Sequence, residues 1–315
     1  MSADPYRIVV AEPFDDDALD RLRALGEIVS LTTPDESSLI ASVQGADALL
    51  VRSYVQVTRQ VIASASRLKV IGRGGAGLEN IDLTAAREHG VTVVHTPAAA
   101  TRAVAEFTVG LILALERRIA VGATMITGDA FHEARRTLVG RELAGLTLGI
   151  IGLGRIGKTL AGICRHGLGM NIIYNDIVEM GCLEFVAEPV SKETIYRRSD
   201  VISLHVPMTN QTRGLIGSSQ LQQMKPTAAL INAARGAIVD SAELAAALGR
   251  GDLAGAALDV HDPEPIPPGH PILSASNVLL TPHLAARTAA GLARMNDVVD
   301  DVVAVLQGHR PRYPA

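Results

Sequence analysis

An arginine, a glutamate and a histidine in the second half of this 315-residue chain have the side chains needed to reduce a carbonyl beside a carboxylate. That reaction needs a cation for the carboxylate and carbonyl oxygen, and a general acid near neutral pH for the alkoxide that forms. Arg235, in Ile231-Asn-Ala-Ala-Arg-Gly236, suits the first task, because a guanidinium binds carboxylates with two parallel hydrogen bonds and keeps its charge. His283, in Thr281-Pro-His-Leu284, suits the second, since an unperturbed imidazole titrates at roughly pH 6.5. Glu264, in Asp259-Val-His-Asp-Pro-Glu-Pro265, supplies a carboxylate that could orient the ring through its other nitrogen. Taken singly, each also fits a plainer role: a helix-capping cation, a solvated loop charge and a surface turn. Spacing alone does not bring the three together.

A second group of residues points to a dinucleotide. Gly152-Leu-Gly154-Arg155-Ile156-Gly157 directly follows the strand-like Gly149–Ile151 and opens a helical run. In such a turn the first glycine allows the tight bend, the second lets the backbone approach a pyrophosphate, and the third lets helix and strand pack closely. The helix start adds free N–H groups and a positive dipole. Asp176, nineteen residues after Gly157, ends the next strand. A carboxylate there can bond both ribose hydroxyls and repel a 2′-phosphate, which favours NAD over NADP. Asn175 beside it is neutral and could take that direction instead.

These residues must be held by an α/β frame. Short apolar runs alternate with helical stretches: Arg7–Ala11, Glu27–Leu31, Ala48–Val51, Val70–Gly72 and Thr92–Val94, then Gly149–Ile151, Asn171–Asn175, Val201–His205, Ala229–Asn232, Gly255–Asp259 and Val278–Leu280. All three candidate catalytic residues therefore lie beyond strand carboxyl ends, where open parallel sheets bind ligands. Helices are expected over Asp16–Leu25, Thr101–Ala120 and Arg287–Leu306, and the proline-rich Asp262–Pro271 is expected to be a rigid loop. The length favours two domains.

Composition is that of an ordinary globular protein, 48% hydrophobic and 20% charged. A net charge of −4 gives no electrostatic case for nucleic acid or an anionic membrane as partner. The apolar stretch Val104–Leu115 contains Glu106 and is too short to span a bilayer. The N-terminus lacks the features of a signal peptide, and two cysteines, Cys164 and Cys182, form neither a disulfide framework nor a metal cluster. A cytoplasmic enzyme without a metal is expected.

At these residues the chain resembles the D-2-hydroxyacid dehydrogenase family, over nearly its whole length. The resemblance rests on Val70-Ile-Gly-Arg-Gly-Gly-Ala-Gly77 with Glu79-Asn-Ile-Asp82, the glycine turn, Ser203-Leu-His-Val-Pro207, Asn232-Ala-Ala-Arg-Gly236, Asp259 to Pro265 and Thr281-Pro-His283. It implies an NAD-dependent oxidoreductase in which Arg235 binds substrate, His283 is the acid/base and Glu264 is its partner. The cofactor would rest on Gly152, Gly154, Arg155, Ile156, Gly157, Asp176, His205, Pro207, Thr212 and Ala233, with Asp259 at the nicotinamide carboxamide. It also implies a Rossmann-type cofactor domain (residues 99–284) inserted into a flavodoxin-like α/β substrate domain (residues 1–98 and 285–315). A homodimer would form through the cofactor domain, with Gly122–Leu143 reaching the partner.

Within the family the likeness is strongest to short phosphoglycerate dehydrogenase-like members lacking a regulatory domain. It implies that Arg52 and Ser53 bind substrate, that Gly74, Gly75 and Ala76 cradle its carboxylate, and that Arg135 or Arg136 of a neighbouring subunit adds a cation. Ala100 and the pair Phe131-His132 depart from that pattern, so glyoxylate, hydroxypyruvate or a sulfonated lactate stay open as substrates. An NAD(H)-sensing corepressor is the alternative from another class.

Overall fold

Residues 5–32 and 34–315 are described in a computed structural model. They form two units: Met1–Ala100 with Arg287–Ala315, and Thr101–Ala286.

In the first unit, β1 (Tyr6–Val10), β2 (Gly26–Ser30), β3 (Ala48–Val51), β4 (Val70–Arg73) and β5 (Thr92–His95) make a parallel sheet of order β2-β1-β3-β4-β5. That is the flavodoxin-like order, and its switch point lies between β1 and β3. Helices α1 (Asp16–Arg23), α2 (Glu36–Val43), α3 (Arg59–Ala63) and α4 (Leu83–Glu88) each begin at a side-chain cap, from Asp15, Asp35, Thr58 and Asp82. Val9, Leu49, Val51 and Ile71 feed one core, while Ile8, Leu50 and Val70 meet Val298, Val302 and Leu306 of the returning C-terminal segment in another. The alternation along each strand thus buries both faces.

In the second unit, β6 (Thr147–Ile151), β7 (Asn171–Asn175), β8 (Glu188–Pro189), β9 (Val201–Leu204), β10 (Ala229–Asn232), β11 (Gly255–Leu258) and β12 (Val278–Leu280) are ordered β12-β11-β10-β9-β6-β7-β8, every pair parallel. Counted within the unit, this is the dinucleotide-binding order with one strand added, and the switch point falls between β6 and β9. Helices α5 (Thr101–Glu116), α6 (Ile119–Gly122), α7 (Gly128–Thr137), α8 (Arg155–Leu168), α9 (Lys192–Arg198), α10 (Ser218–Leu221) and α11 (Ser241–Arg250) accompany the sheet.

Two expected helices are interrupted. The one over Thr101–Ala120 stops at Glu116 because Arg118 adopts a left-handed backbone (φ 56°), and a separate α6 follows. Glu116, buried at the end of α5, receives Arg141 through two hydrogen bonds of 2.8 and 2.7 Å, while the Arg141 N–H reaches the Glu116 carbonyl at 3.0 Å. The C-terminal helix is two, α12 (Ala289–Asn296) and α13 (Val298–Leu306), meeting at Asp297. The two-residue β8 has no counterpart among the expected strands, and a short 3-10 turn over Pro271–Ser274 closes the proline-rich loop.

Candidate active site

The glycine turn stands at the switch point of the second unit. Gly152 has φ 94°, and a Cβ there would lie 2.5 Å from the His205 carbonyl oxygen, so the turn after β6 and the end of β9 approach as only glycine permits. A Cβ on Gly157 would strike the Gly152 carbonyl oxygen, whereas one on Gly154 would meet open space. Gly154 begins α8 without a side-chain cap, which leaves the N–H groups of Arg155 and Ile156 available to an anion. Asp176 Oδ2 accepts from the Leu153 N–H at 2.6 Å, inside the glycine turn, and its Oδ1 accepts from Val178 N–H at 2.9 Å. Asn175 points elsewhere, donating to the Val190 carbonyl at 2.8 Å. Of the two neighbours, Asp176 is the one beside the phosphate cradle. A glycine turn exposed at Gly154, an uncapped helix start and a facing carboxylate fit a dinucleotide without a 2′-phosphate.

His205 is held by Ser203, with 2.8 Å between Oγ and Nε2, and its Nδ1 is buried without a hydrogen-bond partner. Burial pushes the imidazole down to about 4. The unfolded chain therefore binds a proton at His205 below about pH 6.5 that the folded chain refuses until about pH 4, so stability falls as pH is lowered through that window. His205→Gln is expected to flatten the fall, by up to about 1.4 kcal/mol per pH unit for one proton, as read from urea midpoints between pH 7 and 4. Equal slopes in the two proteins would refute this. Pro207 and Thr212 close the adjoining turn, where Thr212 Oγ1 donates to the Pro207 carbonyl at 2.6 Å and receives the Thr209 N–H at 2.8 Å.

The ends of β10, β11 and β12 bring the candidate catalytic residues together. His283 Nδ1 lies 3.0 Å from Glu264 Oε2, and the other carboxylate oxygen, Oε1, accepts the His261 N–H at 2.8 Å. Burial pushes the Glu264 carboxyl up, but the hydrogen bonds from His283 and His261 and the nearby imidazoles outweigh it and hold the group below its usual range. With Nδ1 engaged, Nε2 is the nitrogen left for a substrate. Both side chains remain partly exposed, at 45% and 39%, so a reactant can reach them.

The loop that carries His283 is strained and tightly held. Its backbone is left-handed (φ 54°), a conformation that costs energy for a residue with a side chain. The His283 N–H donates to the Asp259 carbonyl at 2.8 Å. The Asp259 carboxylate accepts from Thr281 Oγ1 at 2.6 Å, and from the Leu284 and Ala285 N–H groups at 2.8 Å each. Asp259 has no exposed surface. These bonds make Asp259 a floor under the loop that carries His283. His261 adds a further tie through Nε2 to the Thr281 carbonyl, 2.9 Å away.

Arg235 follows β10 in an extended backbone, with NH1 on the Ala234 carbonyl at 2.6 Å. Asn232 clamps that turn, its Nδ2 donating to the Arg235 carbonyl at 2.9 Å and its Oδ1 accepting from the Ala234 N–H at 3.0 Å. Ala233, between them, is half-buried. A Cβ on Gly236 would lie 2.0 Å from the His261 carbonyl. The arginine turn and the loop bearing Glu264 are therefore in contact. His261, Thr281 and Asn232 hold these loops in place, and the sequence did not single them out. Each flanks a chosen residue by one to three positions.

In the first unit, Arg52 follows β3. Its guanidinium donates through Nε to the Pro13 carbonyl at 2.7 Å and through NH2 to Asn296 Oδ1 at 2.5 Å, and it lies 4.8 Å over the Phe14 ring. Gly74 belongs to the same neighbourhood, since a Cβ there would meet Met295 and Phe14. Gly75 is buried, with φ 140° against the Arg73 side chain, and Ala76 is exposed. Ser53 is exposed beside Arg52. Arg135 lies instead on α7, exposed, with its guanidinium 6.0 Å over the Phe131 ring.

Comparison with known proteins agrees with this geometry. Residues 109–285 match the NAD binding domain of the D-isomer specific 2-hydroxyacid dehydrogenases. The chain is 39% identical over 306 residues to a D-3-phosphoglycerate dehydrogenase of Archaeoglobus fulgidus, covering 96% of this chain and 58% of that protein. It is 40% identical over 284 residues to a glyoxylate reductase of Thermofilum pendens, covering 88% and 84%. The crystal structure of the TT0316 protein from Thermus thermophilus superposes with a TM-score of 0.89 at 36% identity, covering 98% and 99%. The chain thus spans little more than half the length of the phosphoglycerate dehydrogenase relatives it matches. From the glycine turn through the histidine loop to the match along 109–285, the chain belongs to the D-isomer specific 2-hydroxyacid dehydrogenase family.

Proposed function

We propose that the chain is an NAD-dependent dehydrogenase that interconverts a small D-2-hydroxy acid and its 2-oxo acid. The observation that carries this reading is the 3.0 Å pairing of His283 Nδ1 with Glu264, whose own loop also touches the Arg235 turn. Arg235 holds the carboxylate and polarises the 2-oxo oxygen. His283 gives its Nε2 proton to the developing alkoxide, and takes it back in the reverse direction. Glu264 fixes the ring and balances the imidazolium charge. Bound NADH supplies the hydride for C2. Gly154, Arg155, Ile156 and Asp176 would hold that cofactor, with His205, Pro207, Thr212 and Ala233 lining its course. Gly75 and Ala76 would offer backbone N–H groups to a substrate carboxylate, the Gly74 N–H being spent on the Val51 carbonyl at 2.9 Å.

NADH oxidation over glyoxylate, pyruvate, hydroxypyruvate, phosphohydroxypyruvate and sulfopyruvate tests the reading, with NADPH run in parallel. Turnover with NADH on at least one acid is expected, and none on any of them would overturn the proposal. Asp176→Ala is expected to narrow the preference for NADH over NADPH by about tenfold or more, the effect of losing a charge-assisted hydrogen bond and a repulsion. An unchanged preference would assign cofactor selection to another residue.

The active form is inferred to be a homodimer. Ile119, Val121, Ile126, Phe131 and Val139 are exposed large apolar side chains concentrated in one segment of the second unit. Such a band is what a second copy would cover. Cytoplasmic location accords with two free cysteines, one buried and one exposed. No helix among the described residues is long and apolar enough to cross a membrane.

A further inference from the structure

The loop that leaves β4 engages its carbonyls and keeps its donors. The Gly74 carbonyl lies 3.5 Å from Arg73 NH1, and the Gly75 carbonyl accepts the Thr96 N–H at 3.1 Å. The Ala76 carbonyl accepts from His95 Nδ1 at 2.9 Å. Among the described residues the N–H groups of Gly75, Ala76 and Gly77 have no hydrogen-bond partner. In a planar trans peptide the C=O and the N–H of the next residue point opposite ways. Each carbonyl drawn towards the end of β5 therefore turns the following N–H away from it. Successive free N–H groups on one side of a turn form a concavity that attracts an anion. Gly75, at φ 140°, takes the backbone conformation this turn demands.

His95 is the last residue of β5, level with Arg73 at the end of β4, and it is half-buried. Its backbone is tied on both edges of the strand. β4 runs along one edge. On the other, the His95 N–H donates to the Tyr313 carbonyl at 3.1 Å, and Val94 stands opposite Pro314 in an antiparallel bridge. The ring thus hangs from a fixed point. A carbonyl only accepts, so Nδ1 carries the hydrogen of the 2.9 Å contact, in the neutral ring as in the imidazolium. The tie to Ala76 therefore survives protonation of the ring. Among the described residues no other group donates to the Ala76 carbonyl. The neighbouring hydroxyl does not share the task, since Thr96 Oγ1 is buried without a partner.

We propose that His95 is a positioning residue for the substrate carboxylate. By holding the Ala76 carbonyl it fixes the Ala76–Gly77 peptide, and the Gly77 N–H joins those of Gly75 and Ala76 as a third donor to the anion. The imidazole itself does not touch the substrate; it acts through the backbone. Its effect falls on the carboxylate that all 2-oxo and 2-hydroxy acids share, and so is the same for short and long acids. This inference rests on the dehydrogenase reading and on the carboxylate cradle within it, and assigns the side chain that shapes that cradle.

The test compares the parent with His95→Asn, which keeps an N–H donor at the same remove from Cβ, and with His95→Phe and His95→Ala, which have none. In both donorless variants KM for the best-reduced acid, at saturating NADH, is expected to rise about fivefold to tenfold, the effect of one neutral hydrogen bond. The kcat and the affinity for NADH should change far less. His95→Asn should recover most of the loss, so the values sort by donor and not by size. A ring kept only for its volume would sort them the other way, with His95→Phe nearest the parent. A His95→Asn protein no better than His95→Ala would overturn the proposal while leaving the dehydrogenase reading intact. Should one donorless variant not fold, the other gives the same comparison. A second arm needs no turnover: sodium oxamate, against sodium chloride of equal ionic strength, should raise the thermal midpoint of the parent and of His95→Asn more than that of His95→Ala. If no acid is reduced the dehydrogenase reading fails, and the oxamate arm alone decides the role of His95, equal shifts overturning it.

Discussion

Replacing His283 by alanine is expected to lower kcat by roughly 10²–10⁴-fold, the usual contribution of a positioned general acid. The side chain is 45% exposed and its packing contribution is small, so the thermal midpoint should move little. Affinity for NADH, followed by its fluorescence, should stay within a few-fold, because the imidazole is paired with Glu264 and not with the glycine turn. Glu264→Gln is the companion measurement. It keeps a hydrogen bond to Nδ1 but removes the charge that balances an imidazolium, so its loss should be smaller than that of His283→Ala. An alanine variant that retained a tenth or more of the parent kcat would remove His283 from the chemistry.

Asp259→Asn should damage stability and activity together. Oδ1 of Asp259 receives both the Thr281 hydroxyl and the Leu284 N–H, and Oδ2 receives the Ala285 N–H. An asparagine amide cannot accept on both sides, so one of the two backbone donors must face an NH2 group in a site with no access to water. The expected cost is about 3 kcal/mol, combining a lost charge-assisted bond with a buried unsatisfied donor. It should appear as a lower urea midpoint. Turnover should fall as well, since the left-handed backbone at His283 is held by this same residue. Thr281→Val loses one hydrogen bond only and should cost about 1 kcal/mol. A stable Asp259→Asn enzyme would show that the loop is secured elsewhere.

Much of this was legible in the residues themselves. The glycine turn, the strand ends and Arg235, Glu264 and His283 sit in short contiguous segments, where type and neighbour carry the meaning. The strand runs were read nearly to the residue because parallel strands buried on both faces are continuous apolar stretches. Other features depend on partners distant in sequence. Glu12 holds a backbone forty positions away and Asn80 one twenty-eight away, and neither leaves a periodic trace. Which of Asn175 and Asp176 turns to the glycine loop depends on the Val190 carbonyl on the added edge strand side, a two-residue pairing too short to read. The letter of Asp259 likewise does not show that its carboxylate takes up the Thr281 hydroxyl and two backbone N–H groups. The helix breaks at Arg118 and Asp297 have no proline to announce them. At Arg118 the break comes from a left-handed turn and a competing pair, Glu116 with Arg141.

That pair has an evolutionary reading. Within the second unit the chain turns away at Glu116 and is fastened again at Arg141, by two side-chain bonds and one between backbones. Everything between is an excursion closed at its base, with a further tie from Arg118 to the Asn277 side chain at 2.6 Å, in the manner of a handle riveted at both ends to one spot. Its length and its surface can drift, or be redesigned, with little consequence for the sheet that carries the arginine, glutamate and histidine.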